Sequence, residues 1–210
     1  MTIFINNSMA DTNKVYISFD NSIIITFIGR LIAAKGVQDL LHAFRLLKGI
    51  ANLKLLIIGD GGYLLALKKL AQDLHLLPQK VVFLRQRDLR EIRELLSITD
   101  ILVNPSYSEG LPSSVLEAGA MSLPVIATDV GGTSEIIIDQ ITGLLYPAGD
   151  IAKLKENIQL LIADTALRRR LSSNLYNHVK DNFGWEDSAE RFIQALANAL
   201  PTSIILDGYI

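Results

Sequence analysis

The stretch SIIITFIGRLIAAKGVQDLLHAFRLLK, residues 22–48, decides the fold. Its first eight residues, SIIITFIG, are an almost unbroken apolar run of the length of one buried strand. The run VQDLLHAFRLLK (37–48) has the spacing of an amphipathic helix. Between them GRLIAAKG (29–36) holds two glycines and two cations. A buried strand, a polar glycine loop and a helix make one strand–helix unit, and the question is whether the unit recurs.

It does. LKLLIIG (53–59) reads as a strand and YLLALKKLAQDL as a helix; VVFL (81–84) is followed by LREIRELLSI, and DILVNP (100–105) by SSVLEAGAM. LPVIAT (123–128) and TGLLYP (142–147) add two short strands. Most of these strands are continuous apolar runs, which predicts a sheet covered on both faces. Strand–helix alternation predicts an α/β fold: a Rossmann-like, mostly parallel sheet with helices on both faces and further helices at the C-terminal end. Asp88 with Glu91 fits a capping pair, and Asp150 and Asp164 are placed to cap helices near 151–162 and 166–181. Another helix is expected from Trp185, itself read as a core anchor, to about Leu200, where Pro201 stops it. The organisation expected is a linker-like segment over 1–21, one domain over 22–200 and a tail over 201–210.

Half of the 210 residues are hydrophobic and the net charge is −2. The apolar surplus implies a large core or an apolar surface meant for a partner, and the charge offers no general attraction to nucleic acid. No apolar run reaches the ~18 residues of a membrane span, and no signal peptide is visible at the N-terminus. Cysteine is absent, which removes thiolate catalysis and fits a reducing compartment. The cytoplasm is the expected location. Arg168 to Arg170 read as a solvated helix face, with peripheral contact to anionic lipid as the weaker alternative. His42, His75 and His178 show no metal-ligand spacing.

Open α/β sheets bind ligands at the carboxyl ends of their strands. Four loops with polar chemistry fall on that edge: GRLIAAKG, GDGG (59–62), LRQRD (84–88) and PSYSEGLPSS (105–114). In the first, Arg30 and Lys35 beside a helix start suit a diphosphate; solvated cations in a glycine loop are the plain alternative. GDGG alone reads as a tight turn. There is no GxGxxG fingerprint and no phosphate loop of the GxxxxGK type, against a nicotinamide dehydrogenase and a P-loop nucleotidase. In EGLPSSVLE (109–117), Ser114 and Glu117 match a capping box, which would make Glu117 a helix cap and Glu109 a loop acid. Alternatively the two acids bracket a hydroxyl-rich ligand, with a phosphate at the helix start after Pro112.

FIGRLIAAKG, LLIIGDG, NPSYSEGLPSSVLEAGAMSLPVIATDVGGTSEII and TGLLYPAGD occur in that order. Together they resemble the nucleotide-sugar-binding half of a family 4 glycosyltransferase (glycosyl transferases group 1), from about residue 22 to Trp185, with DNFGWEDSAERF similar to the family's later helix. Glu109 and Glu117 reproduce its E-x7-E motif. The resemblance implies the GT-B fold, with two Rossmann-like domains across a cleft, and a retaining transfer of sugar from a nucleotide diphosphate sugar to an acceptor hydroxyl. It implies no cofactor and no metal. Arg30 and Lys35 would hold the diphosphate and, with Glu109, serve catalysis. Glu117 would bind the ribose, and Glu109 the donor sugar. Gly110 and Leu111 would help hold sugar and phosphate. The remaining expected donor contacts are Gly29, Gly59 and, near the base, Leu84 and Arg85. Relative to the family pattern, Arg85 replaces a common Gly, and Gly119 and Ser122 stand where Met and Gly are commoner; a helical Gly119 costs about 1 kcal/mol against Ala. The resemblance leaves the N-terminal acceptor domain outside this chain as a partner. A non-catalytic nucleotide-sugar-binding module and a nucleotide-sugar epimerase are the alternatives.

Overall fold

The computed structural model describes residues 2–6, 14–18 and 22–184. The helix expected from Trp185, the anchoring role of Trp185 and the tail over 201–210 lie outside the described residues. A two-stranded antiparallel hairpin comes first, β1 Thr2–Asn6 and β2 Lys14–Ser18. These strands fall in the segment whose pattern reads as linker-like.

The main sheet has six strands: β3 Ile23–Ile28, β4 Leu53–Ile58, β5 Val81–Leu84, β6 Ile101–Asn104, β7 Val125–Thr128 and β8 Leu144–Tyr146. Every pairing in it is parallel, in the order β5-β4-β3-β6-β7-β8. The fold class expected from the alternation is the one observed. The helices are α1 Val37–Leu46, α2 Leu64–Asp73, α3 Leu89–Ser97, α4 Ser113–Ala120, the short α5 Thr133–Ile136, α6 Ile151–Ala163 and α7 Thr165–Asn182. Among the described residues no helix is long and apolar enough to cross a membrane.

Two apolar cores explain why the strands do not alternate with polar residues. Ile25 and Phe27 of β3 point to one core, with Leu55 and Ile57 of β4, Val37, Leu40, Leu41 and Phe44 of α1 and Leu154 and Ile158 of α6. Their neighbours Ile24, Leu56 and Ile58 point to the other, against Ile92 and Leu96 of α3, Val115 of α4 and Leu175 of α7. Period-two alternation therefore sends side chains into two apolar layers instead of one layer and water.

The helix starts follow the expected aspartates. Asp88 accepts from Glu91 N at 2.8 Å while the Glu91 carboxylate accepts from Asp88 N at 3.2 Å. Asp150 and Asp164 accept from Lys153 N and Leu167 N, each at 2.8 Å. Gly119 has a packing reason: a Cβ there would lie 2.7 Å from Val179 Cγ2 and 3.1 Å from Leu175 Cγ, so its absence lets α7 pack close on α4. Ser122 sits at φ 55, a left-handed conformation that favours the glycine commoner there in the family.

Numbering the six strands along the chain, their order is 3-2-1-4-5-6. Direction reverses between β3 and β6, so the loops after these two strands form the crevice where such sheets bind ligands.

Candidate functional site

The loop after β3 runs through a 3₁₀ turn, Ala33–Lys35, to Gly36 at φ 67. A Cβ on Gly36 would sit 1.8 Å from the Pro105 carbonyl oxygen, so only glycine lets this loop lie against the one after β6. Tyr107 N donates to Ala34 O at 2.8 Å and joins them. The register brings Lys35 to Glu109: Nζ is 2.7 Å from each carboxylate oxygen, with side chains 23% and 8% exposed respectively. The two residues are ion-paired with each other.

Glu109 is held from below as well. Ser106 Oγ lies 2.6 Å from Glu109 Oε1, and Asn104 Nδ2 donates to the same oxygen at 3.3 Å. Ser106 and Asn104 are buried at the end of β6, and Thr128 Oγ1 donates to the Ser106 carbonyl at 2.5 Å. Burial alone would push the Glu109 carboxyl upward. The bonds from Lys35, Ser106 and Asn104 and the Lys35 charge together outweigh it and hold the carboxyl below its ordinary range.

A third loop braces the acid. Gly131 has φ 51, and a Cβ on it would meet the Glu109 carbonyl oxygen at 1.9 Å. Gly132 N donates to Gly110 O at 2.8 Å. In the sequence DVGG (129–132) stands only as part of a motif, with no sign of its place at the site, and Asn104, Ser106 and Thr128 are not singled out there either. The signal was a run of polar residues, NPS, at the end of an otherwise apolar strand.

The capping-box reading of Glu117 is corrected. Pro112, at φ −73, is the N-cap of α4, so the helix starts at Ser113 and Ser114 falls inside its first turn instead of at the cap. Glu117 instead accepts a bond from the Ser113 side chain, which lowers its carboxyl less than burial raises it; the net shift is upward. Unlike α3, α6 and α7, each capped by an aspartate, α4 starts with no side-chain cap.

These features share one cleft of about 340 Å³, lined by Gly29, Arg30, Lys35, Glu109, Leu111 and Glu117, with Ser113 and Ser114 of the first turn of α4. Arg30 is exposed there, and its guanidinium has no hydrogen-bond or ion-pair partner among the described residues. A free guanidinium, a lysine and an uncapped helix start lining one cleft suit an anion. The carboxylates of Glu109 and Glu117 on the same cleft suit hydroxyl donors.

The other expected donor contacts fall outside this lining. Gly110 is exposed beside Glu109. Gly59 stands behind Gly29, where a Cβ would meet the Gly29 carbonyl oxygen at 1.9 Å. The Leu84 side chain is 2% exposed in the core, so its side chain faces no ligand. Arg85 is exposed, 3.9 Å from the Asp60 carboxylate. A wider groove of about 860 Å³ between α3 and α4, lined by Leu89, Ile92, Leu96 and Met121 among others, meets the cleft at Glu117.

Comparison with known proteins adds to this geometry. The family model of glycosyl transferases group 1 matches residues 9–178. A GDP-mannose-dependent monoacylated alpha-(1-6)-phosphatidylinositol monomannoside mannosyltransferase of Corynebacterium glutamicum is 31% identical over 185 residues, which are 84% of this chain and 48% of the relative. Sucrose-phosphate synthase from Thermosynechococcus elongatus superposes with a TM-score of 0.78 at 31% identity, over 85% of this chain and 46% of that one. The C-terminal domain of a glycosyl transferase group 1 family protein from Francisella tularensis superposes with a TM-score of 0.72 at 27% identity, over 78% of this chain and 87% of that one. The chain spans about half the length of the curated relatives it matches.

Proposed function

The chain belongs to the glycosyl transferases group 1 family, and from that premise we propose that it is the C-terminal, nucleotide-sugar-binding domain of a retaining, family 4 glycosyltransferase. It binds a nucleotide diphosphate sugar, and the sugar passes to an acceptor hydroxyl. One observation carries the reading: Arg30, Lys35 and the uncapped start of α4 line one cleft with both acids of the E-x7-E pair, at the point where the strand order reverses. The relative from Corynebacterium glutamicum, named for its GDP-mannose dependence, supports a donor of this class.

The diphosphate lies over the first turn of α4, between Arg30 and Lys35. Ribose hydroxyls donate to Glu117 and sugar hydroxyls to Glu109, with Leu111 and the backbone of Gly110 alongside. Gly59 supports the diphosphate loop from behind. The base reaches toward Leu84 and Arg85, the first through its backbone. In the transfer step the bond from the anomeric carbon to the diphosphate oxygen breaks. The acceptor oxygen bonds to that carbon on the same face, and its proton passes to the departing diphosphate. Arg30, Lys35 and the helix dipole stabilise the charge that leaves, while Glu109 orients the sugar and faces the positive charge at carbon. The acceptor is held by a second domain across the cleft, whose lining exposes Leu111 (49%).

Titration calorimetry with UDP, GDP and ADP, and with UDP-glucose, GDP-mannose and ADP-glucose, tests the reading. Binding of at least one nucleotide is expected, weakened about tenfold or more by Arg30→Ala through loss of a charge-assisted contact. Absence of binding to all six ligands refutes it.

The second reading is a nucleotide-sugar-binding module without catalysis of its own. Sugar transfer on adding an acceptor domain in trans decides against that module. Epimerisation of a donor in the absence of any acceptor is the outcome that would instead mark an epimerase.

A further inference from the structure

Glu109 has anchors of two kinds. Lys35 touches both of its oxygens, while Ser106 and Asn104 touch Oε1 only. If a diphosphate takes the Lys35 ammonium, as the proposed function requires, Glu109 Oε2 loses the partner it has among the described residues. What then keeps a mostly buried carboxylate in place is the pair of neutral donors at the end of β6.

We propose that Ser106 is a positioning residue for donor-sugar recognition: its hydroxyl pins Glu109 Oε1 while the phosphate draws Lys35 away, so that Oε2 is left as the acceptor facing the sugar. The inference rests on the proposed function and goes one step beyond it.

The surroundings of Ser106 fit the role. Its Oγ stands 2.6 Å from Glu109 Oε1 and 2.8 Å from Asn104 Oδ1, and one hydroxyl proton can serve only one of these acceptors. An ionised carboxylate is the stronger acceptor, so the proton goes to Glu109. The hydroxyl cannot swing to water, because Ser106 is 0% exposed. Nor can its backbone drift, because Thr128, itself 1% exposed, holds its carbonyl at 2.5 Å. The anchor is thus tied through Thr128 to β7, while Lys35 sits in the loop after β3. The step moves no covalent bond: Lys35 exchanges one anion for another, and Glu109 exchanges an ammonium for a sugar hydroxyl.

The test compares the ratio of affinities for UDP-glucose over UDP, GDP-mannose over GDP and ADP-glucose over ADP in the full chain and in Ser106→Ala. The ratio reports the sugar contact alone and is insensitive to a general loss of packing. For the pair that binds, it is expected to fall about tenfold in Ser106→Ala, the usual worth of a hydrogen bond to a charged group. The Glu109 titration, followed by carboxyl ¹³C NMR and assigned with Glu109→Gln, moves to higher pH. Thr128→Val, isosteric and one bond further away, lowers the ratio in the same direction by less and keeps the test open if Ser106→Ala does not fold. A folded Ser106→Ala with the wild-type ratio, or a wild-type ratio of one, overturns the inference and leaves the phosphate assignments standing. Failure of the wild type to bind any of the nucleotides strikes the proposed function itself, and this inference falls with it.

Discussion

Replacing Lys35 with methionine isolates the ion pair on which the site turns. In the wild type the Glu109 side chain is 8% exposed, and burial is the largest single influence on its carboxyl, pushing it upward. Lys35 and the two neutral donors reverse that push. Without Lys35 the carboxylate keeps only Ser106 and Asn104, both on Oε1. Breaking a fully buried pair costs about 3–5 kcal/mol. Here the Lys35 side chain is 23% exposed, so screening and water reduce the loss, and about 2 kcal/mol is expected at pH 7. The sign with pH follows from linkage. In the wild type the folded carboxyl titrates below its unfolded value, so its contribution is present above the ordinary glutamate range, near 4.3, and is lost as pH falls through the folded value. In Lys35→Met the folded carboxyl titrates higher than in the wild type, so its contribution at neutral pH falls, and the difference vanishes once the carboxyl is protonated in every state. Urea unfolding of both proteins across pH 3 to 7 checks this. The gap between them should be widest at neutral pH and close in acid. A pH-independent gap refutes the reasoning.

Two glycine substitutions probe how the site is supported. Gly131→Ala combines a left-handed φ of 51 with a Cβ 1.9 Å from the Glu109 carbonyl; a loss of about 2 kcal/mol or more is expected, with weaker binding of nucleotide sugars, read by denaturant unfolding and calorimetry. Gly119→Ala should gain about 1 kcal/mol from helix propensity, yet overpacking against Val179 and Leu175 costs about 1–3 kcal/mol. A net loss of stability in thermal melts is expected, and a net gain would mean α7 yields easily.

The strands and helices were legible because their signals are local. β3 and β4 are continuous apolar runs, and Asp88, Asp150 and Asp164 stand one residue before the helices they cap. The order of the loops along the chain, with ligands bound at the carboxyl ends of the strands, was enough to bring Arg30, Lys35, Glu109 and Glu117 to one edge. The partners within the site were not legible. Nothing in the spacing says that Lys35 will meet Glu109, 74 residues away, because that contact depends on Gly36 letting two loops touch. Nor does it say that Ser114 misses the cap, since one residue of shift at Pro112 decides it. Leu84 was expected near the base as a loop residue; as the last residue of β5 it is enclosed in the core. The paired strands Thr2–Asn6 and Lys14–Ser18 lie in a segment too weakly patterned for them to be seen.

A crystal structure of the chain with a bound nucleotide diphosphate would show where the phosphates lie. The diphosphate is expected at the start of α4, within hydrogen-bonding reach, about 3 Å, of Arg30, Lys35 and the first backbone N–H groups, with the ribose on Glu117 and Lys35 drawn off Glu109. A diphosphate on another edge of the sheet, or one bound at α4 with Arg30 turned to solvent and the Lys35–Glu109 pair intact, would contradict it.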